Sequence, residues 1–334
     1  MRIRKLLVVL GCTGFILMTG VSSFGVVHAK QIKLTWVTIV PKANNLQVLQ
    51  FERSFINRVN EKAKGELFIE YRGGPETILP FDQGKAVQKG VVDISYVAVG
   101  FYEPLAPGVG GAMLTQISPE EERKPGGAFD YLNELHSKGG LYYLGRPTPA
   151  GEYFHLILNK KVLKPQDFVG LRIGTATVGR ACTEAWGATV VSVAMSEYYT
   201  SLERGLVDGL SSCPLTLAVL NGCYEVVKYV PDHGFYQSTL AAIMNLDKWN
   251  KLPKHLQKVM TESMVQSEKE CGAAYAEIQA KAVEKMKKSG IEFYKLQPDV
   301  EKWFLDTAYS AAWEYQMKRY PDVTPKLRQL FSGQ

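Results

Sequence analysis

From Gln31 to Ile39, apolar and polar positions alternate as in a half-buried strand. The period then changes. Between about Asn45 and Lys64, Leu49, Phe55, Ile56, Val59 and Ala63 fall on one side of a helix, and Gly65 stops it. Leu67 to Tyr71 reads as a second strand, broken by Gly73-Gly74-Pro75. A short helix from Phe81 to Lys89 and a strand from Val91 to Val97 follow. Further on, Tyr153–Leu158, Leu171–Ile173, Val190–Val193 and Phe235–Asn245 read as strands, with a helix from Val178 to Trp186. From Pro253 to about Lys288 the pattern is helical, with Leu256, Val259, Met260, Met264, Tyr275, Ile278, Ala282 and Met286 as apolar positions. At ~1.5 Å per residue that helix is roughly 50 Å long, enough to touch two lobes. Gly290 ends it, Ile291–Tyr294 is a strand, and Val300–Tyr320 is a final helix. Strands alternating with helices predict an α/β fold with mixed, mainly parallel sheets.

Two stretches echo one another. Phe81 to Ile94 reads FDQGKAVQKGVVDI, and Ser196 to Gly209, 115 residues on, reads SEYYTSLERGLVDG. Each is a helical stretch followed by a basic residue, Gly, an apolar residue, Val and Asp. Gly90 and Gly205 suit the position after a helix C-terminus, where positive φ is common. Asp93 and Asp208 are expected to end or interrupt the short strand that follows. The echo points to two related lobes.

The first residues differ from the rest. Met1-Arg-Ile-Arg-Lys5 is basic, Leu6 to about Val21 is uncharged and apolar or small, and Val27 and Ala29 stand at −3 and −1 before Lys30. This is the pattern of a secretory signal peptide cleaved after Ala29, which sends the chain to the periplasm. Removing 29 of 334 residues leaves 305. Arg2, Arg4 and Lys5 go with the leader, so the net charge falls from +6 to +3, which carries no message of a nucleic-acid partner. Cys12 also leaves. Cys182, Cys213, Cys223 and Cys271 then stand in an oxidising compartment, as disulfides in one of three full pairings or as small buried hydrophobes.

Chemistry-bearing motifs do not stand out. There is no HExxH, P-loop, GxGxxG after a strand, or GxSxG. The four histidines after the leader are scattered and Cys213 and Cys223 lack CxxC spacing, so neither a metal nor a catalytic group is expected. No cofactor is implied.

The most specific segments are Pro165-Gln-Asp-Phe-Val-Gly-Leu-Arg-Ile173, Trp186-Gly-Ala-Thr189 and the Ser196–Gly209 stretch, with Trp249-Asn-Lys-Leu-Pro253 before the long helix. On these, the chain resembles the DctP-type substrate-binding proteins of TRAP transporters (tripartite, ATP-independent periplasmic transporters) over nearly all of its length after the leader. The resemblance implies two lobes closing by a hinge around one ligand, no enzymatic activity, and delivery to membrane subunits driven by an ion gradient. Lobe I is expected over 30–152 with parts of 236–334 returning to it, lobe II over 153–235, and a helix over 253–288 spanning both. A sensory solute receptor and an extracytoplasmic enzyme on a similar fold are the alternatives.

The chain departs from the family where ligands are held. The family's arginine after "GlkI" pairs bidentately with a ligand carboxylate; here that position is Gly174. A second family arginine falls at Phe154, and "VDGqEn" becomes Val207-Asp-Gly-Leu-Ser-Ser212. The expectation is a small organic acid with an apolar or aromatic body. Gly174 would leave room or expose backbone N–H groups, and Thr175, Thr177, Ser211 and Ser212 would hydrogen-bond the ligand. Phe101, Tyr102, Phe154, Phe235 and Tyr236 would line the pocket. Arg180, or after it Arg146, would supply the displaced cation, with Arg172 third.

Overall fold

The computed structural model describes residues 30–43, 45–147 and 153–332, apart from the side chain of Thr177. The leader read at 1–29 lies outside the described residues, and residues 31–334 form one compact unit. Its strands are β1 (Ile32–Thr38), β2 (Leu67–Gly73), β3 (Ile94–Ala98), β4 (Leu141–Gly145), β5 (Phe154–Leu158), β6 (Arg172–Thr175), β7 (Thr189–Ser192), β8 (Gly209–Pro214), β9 (Tyr229–Pro231), β10 (Leu240–Asn245) and β11 (Glu292–Tyr294). They form two mixed sheets, ordered β2-β1-β3-β10-β4 and β11-β9-β5-β8-β6-β7. β1 runs parallel to β2 and β3, and β6 parallel to β7 and β8, while β10 and β5 run antiparallel to their neighbours.

Each sheet is packed on both faces, as a parallel-type sheet requires. In the first, Leu34 and Trp36 of β1 join Phe51, Phe55 and Tyr96 on one face, while Val37 and Val97 join the cluster of Leu132 and Tyr143 on the other. In the second, Leu210 and Cys213 face Tyr198 and Val230, while Ile173 and Leu156 face Cys182, Trp186 and Phe304. The expected first helix runs as Leu46–Phe51, a π turn over Glu52–Ile56, and Asn57–Lys62. Asn45 begins it by accepting the Val48 N–H at 3.0 Å.

The long helix is Lys254–Lys288, 35 residues, with Pro253 just outside it. A Cβ on Gly272 would meet nothing within 4 Å, so that glycine sits at an open face and does not break the helix. Leu256, Met260 and Met264 pack beneath the first sheet, and Met286 packs beneath the second. One expectation changes, and of the two readings offered for the cysteines one is found. Residues 235–239 are not strand: Phe235 N–H donates to Phe154 O (3.0 Å) and Gln237 N–H to Met113 O (2.8 Å), so no single neighbour offers a ladder. They instead cross between the sheets, bridged to the other crossing segment at Tyr153–Gln237. The four cysteines are free and buried, so they pack as small hydrophobes.

Candidate functional site

In open α/β sheets ligands sit in the crevice outside the carboxyl ends of the strands. On the first sheet that edge is built around Gln83. Its buried carboxamide donates to Thr38 O at the end of β1 (2.8 Å) and to Ile78 O (3.0 Å), and accepts from Ser95 Oγ of β3 (2.8 Å). The turn Pro80–Asp82 is thereby fixed to two strands. Phe81 in that turn lies against Phe101 with ring centroids 4.2 Å apart and the rings tilted by 33°, yet Phe81 is 70% exposed and Leu79 65%. Phe101 is half-buried. Tyr102, next along, turns inward and donates to His136 Nε2 at 2.9 Å, because His136 Nδ1–H is given to Leu132 O. Burial lowers the His136 pKa to about 4, so the ring is a neutral acceptor. Tyr102, expected in the pocket, is therefore a core residue.

On the second sheet the expected hydroxyls do come together, but they serve one another. Ser211 and Ser212 are adjacent on β8 and so face opposite sides of the sheet. Ser211 Oγ lies 2.7 Å from Thr183 Oγ1. Ser212 Oγ accepts the Ala176 N–H (2.9 Å) and lies 3.1 Å from Thr175 Oγ1 and 2.8 Å from Tyr198 Oη. Gly179 lies against this cluster: a Cβ there would fall 2.2 Å from Thr175 Oγ1 and 2.7 Å from Ser211 Oγ. Gly174 leaves no free space either. A Cβ on it would meet Leu210 Cδ2 at 2.7 Å, Val207 Cγ1 at 3.2 Å and Val193 Cγ2 at 3.3 Å. Leu210, at the family's polar position, occupies that volume. The side chain of Thr177 lies outside the described residues.

The cations separate cleanly. Arg146 is fully buried: its guanidinium is given to Glu122, to Gln237 Oε1 (3.2 Å) and to Ile117 O (2.7 Å), and its N–H to Glu268 Oε1 (3.0 Å). Fully buried and bonded through all three guanidinium nitrogens, Arg146 fastens the two crossing segments together. Arg172 bonds Asp208 and Gly205 O at the amino end of β6. Arg180 is exposed near the carboxyl edge of the second sheet, held to Glu184 Oε1 (3.0 Å) and Ser192 Oγ (2.9 Å).

Three expected aromatics pack internally. Phe235 is surrounded by Trp186 (5.2 Å), Tyr236 (5.1 Å) and Phe304 (5.9 Å). Tyr236 Oη donates to Ala308 O of the helix Pro298–Arg319, and Phe154 N–H donates to Tyr236 O. Phe154 is itself buried. Leu79 and Phe81 were not singled out by sequence. Their signal is a pair of apolar residues either side of Pro80, between the Gly-Gly-Pro break and the helix that buries Val87. Lys42, also not singled out, follows β1, 2.8 Å from Glu52 and 4.5 Å above the Tyr71 ring. Among the described residues no group of three or more His, Cys, Asp or Glu is placed to hold a metal ion.

Two α/β lobes that share crossing segments and one long helix have the architecture of a solute receptor. Residues 37–319 match the family described as bacterial extracellular solute-binding protein, family 7, and the chain belongs to it. It is 31% identical over 161 residues (47% of this chain, 45% of the relative) to the C4-dicarboxylate-binding periplasmic protein DctP of Rhodobacter capsulatus. The chain thus spans about half the length of that curated relative. A TRAP periplasmic solute-binding protein of Rhodobacter sphaeroides in an apo open state is similar in structure: TM-score 0.78, 19% identity, covering 91% of this chain and 99% of that one. Another, from Desulfovibrio salexigens with bound orotic acid, has TM-score 0.76 and 20% identity, covering 91% and 98%.

Proposed function

We propose that the chain is the extracytoplasmic receptor of a TRAP-type transporter, exported by cleavage after Ala29. It holds a small organic acid between the lobes and delivers it to membrane subunits. The observation that carries this reading is the family match over residues 37–319 on two sheets bridged by one helix. The relatives named above bind a C4-dicarboxylate and orotic acid, both organic anions. Lobe I is 30–152 with returning parts of 236–334, and lobe II is 153–235, to which β11 adds an edge from farther along the chain. Closure buries the solute and adds second-lobe contacts, so ligand favours the closed state in proportion to its extra affinity for it.

Arg180 is the cation of this reading: it is the one of the three candidate arginines with an exposed head near the carboxyl edge of the second sheet. A thermal-shift panel should find a stabilising acid, because binding to the native state raises stability. Arg180→Ala should weaken that acid by about tenfold or more, the scale of one lost charged hydrogen bond. Tight binding of a neutral solute with no acid bound overturns the acid assignment, and an unchanged affinity in Arg180→Ala overturns the role of Arg180.

A further inference from the structure

We propose that Leu79, Phe81 and Phe101 form a stacking seat for the apolar or aromatic body of the solute, on the lobe opposite its charged group. This rests on the receptor reading and names its substrate class. The seat lies at the carboxyl edge of the parallel strands β1 and β3, where a solute is held in this architecture. Its turn is anchored to the sheet in the unliganded fold. Gln83 ties its turn to Thr38 and Ser95, and Gly84 lets the two helices meet, since a Cβ there would fall 2.4 Å from Tyr102 Cβ. A ring held in this way costs little further ordering on binding. It also has space beside it: a Cβ on the exposed Gly100 would meet nothing within 4 Å. The other aromatics expected in the pocket, Tyr102, Phe154, Phe235 and Tyr236, are all buried in the core, so the apolar surface at this edge is the Phe81–Phe101 pair. The matching change across the crevice is Leu210 in the volume beside Gly174, which replaces a polar handle by an apolar one. The occupant that suits this pairing is a flat or branched acid such as a phenyl-bearing, indole-bearing or branched-chain monocarboxylate; rings of this kind gain from offset stacking as well as from area.

The test is calorimetry on the secreted protein with phenylpyruvate, benzoate, 4-methyl-2-oxopentanoate, pyruvate, succinate and the neutral benzamide, beside solute uptake by cells carrying each variant. An aromatic or branched acid should bind at least about tenfold tighter than pyruvate or succinate. Phe81→Ala should remove about tenfold of that affinity and leave pyruvate binding alone, and Phe101→Leu should do so more weakly. Phe81 is mostly solvent-exposed, so the unliganded melting temperature serves as the control and should hold. If succinate binds best and Phe81→Ala leaves it unchanged, the seat is overturned while the acid-receptor reading stands. If a neutral aromatic solute binds and depends on Phe81, the seat stands and the acid reading fails. Unchanged solute affinity with lost uptake would make the patch a partner surface and overturn the inference.

Discussion

The two sheets use the same device at their amino ends and opposite solutions at their carboxyl ends. In the first sheet, Asp93 N–H donates to Thr35 O (3.2 Å), and its carboxylate accepts the Thr35 N–H (2.8 Å) and hydroxyl (2.9 Å). In the second, Asp208 N–H donates to Arg172 O (2.7 Å), and its carboxylate accepts the Arg172 N–H (2.9 Å) and guanidinium. Both aspartates stand just ahead of a strand, β3 or β8, after a glycine at positive φ (Gly90 at 70°, Gly205 at 63°). The sequence echo is thus a strand-start clasp, and the expectation that the aspartates end or interrupt their strands is corrected. At the other ends the first sheet exposes Leu79 and Phe81, while the second seals Ser211 and Ser212 beneath Gly179. The two sheets are therefore alike at their amino ends and differ at their carboxyl ends, one exposing apolar side chains and the other burying its hydroxyls.

Cutting the link between the lobes should have the largest effect. Arg146→Ala leaves the Glu122 carboxylate buried without its charged partner, with only the Tyr143 hydroxyl donating to it, and should cost about 3–5 kcal/mol in urea unfolding. A loss under about 1 kcal/mol would show that the crossing segments are held otherwise. Acid should act nearly as strongly, and on both lobes. Burial lowers the pKa of His136 in the first and His155 in the second to about 4, against backbone hydrogen bonds that act the other way. Their folded values lie below the ordinary 6.5, so the unfolded chain binds more protons between those limits. The stability from keeping them neutral is complete above about 6.5 and is lost as pH falls toward 4, by about 3 kcal/mol each at most. His155→Leu should flatten its share of that acid limb, and an unaltered limb would contradict the assignment.

The clasp gives the smallest of the three effects. Burial raises the Asp208 pKa, but the Arg172 N–H, the Arg172 guanidinium and Lys160 outweigh it and hold the carboxyl down at about 2. A depressed carboxylate stabilises above its ordinary range near 3.8, and that contribution is lost as pH falls through about 2. Asp208→Asn should cost about 2 kcal/mol near neutral pH, with the difference from wild type closing between pH ~4 and ~2. A pH-independent difference would mean that the loss is one of packing.

Local signals carried the architecture well. Alternation located β1 and β2, the apolar spacing of Leu256, Met260, Met264 and Met286 located the long helix, and the Gly-x-Val-Asp spacing located the two repeated helix–strand joints, though not the role of their aspartates. The helix Ala128–Lys138 and strand β4 were not foreseen, although the helix buries Tyr131, Leu132 and Leu135 on one side. The site was less legible, because exposure depends on partners far along the chain. Phe235 is covered by Trp186 and Phe304, and the volume beside Gly174 is taken by Leu210, 36 residues on. No short window contains those contacts. Phe81 was passed over for the converse reason: a lone apolar residue in a first helical turn resembles core until its surroundings are known.

The receptor proposed above closes two clasped lobes on one small acid and releases it unchanged. Native mass spectrometry of the secreted protein, purified without added ligand, tests it most directly. The expected result is a one-to-one complex whose released solute is an organic acid bearing an apolar or aromatic body. A retained neutral solute, or an acid chemically converted during long incubation with the protein, would contradict it.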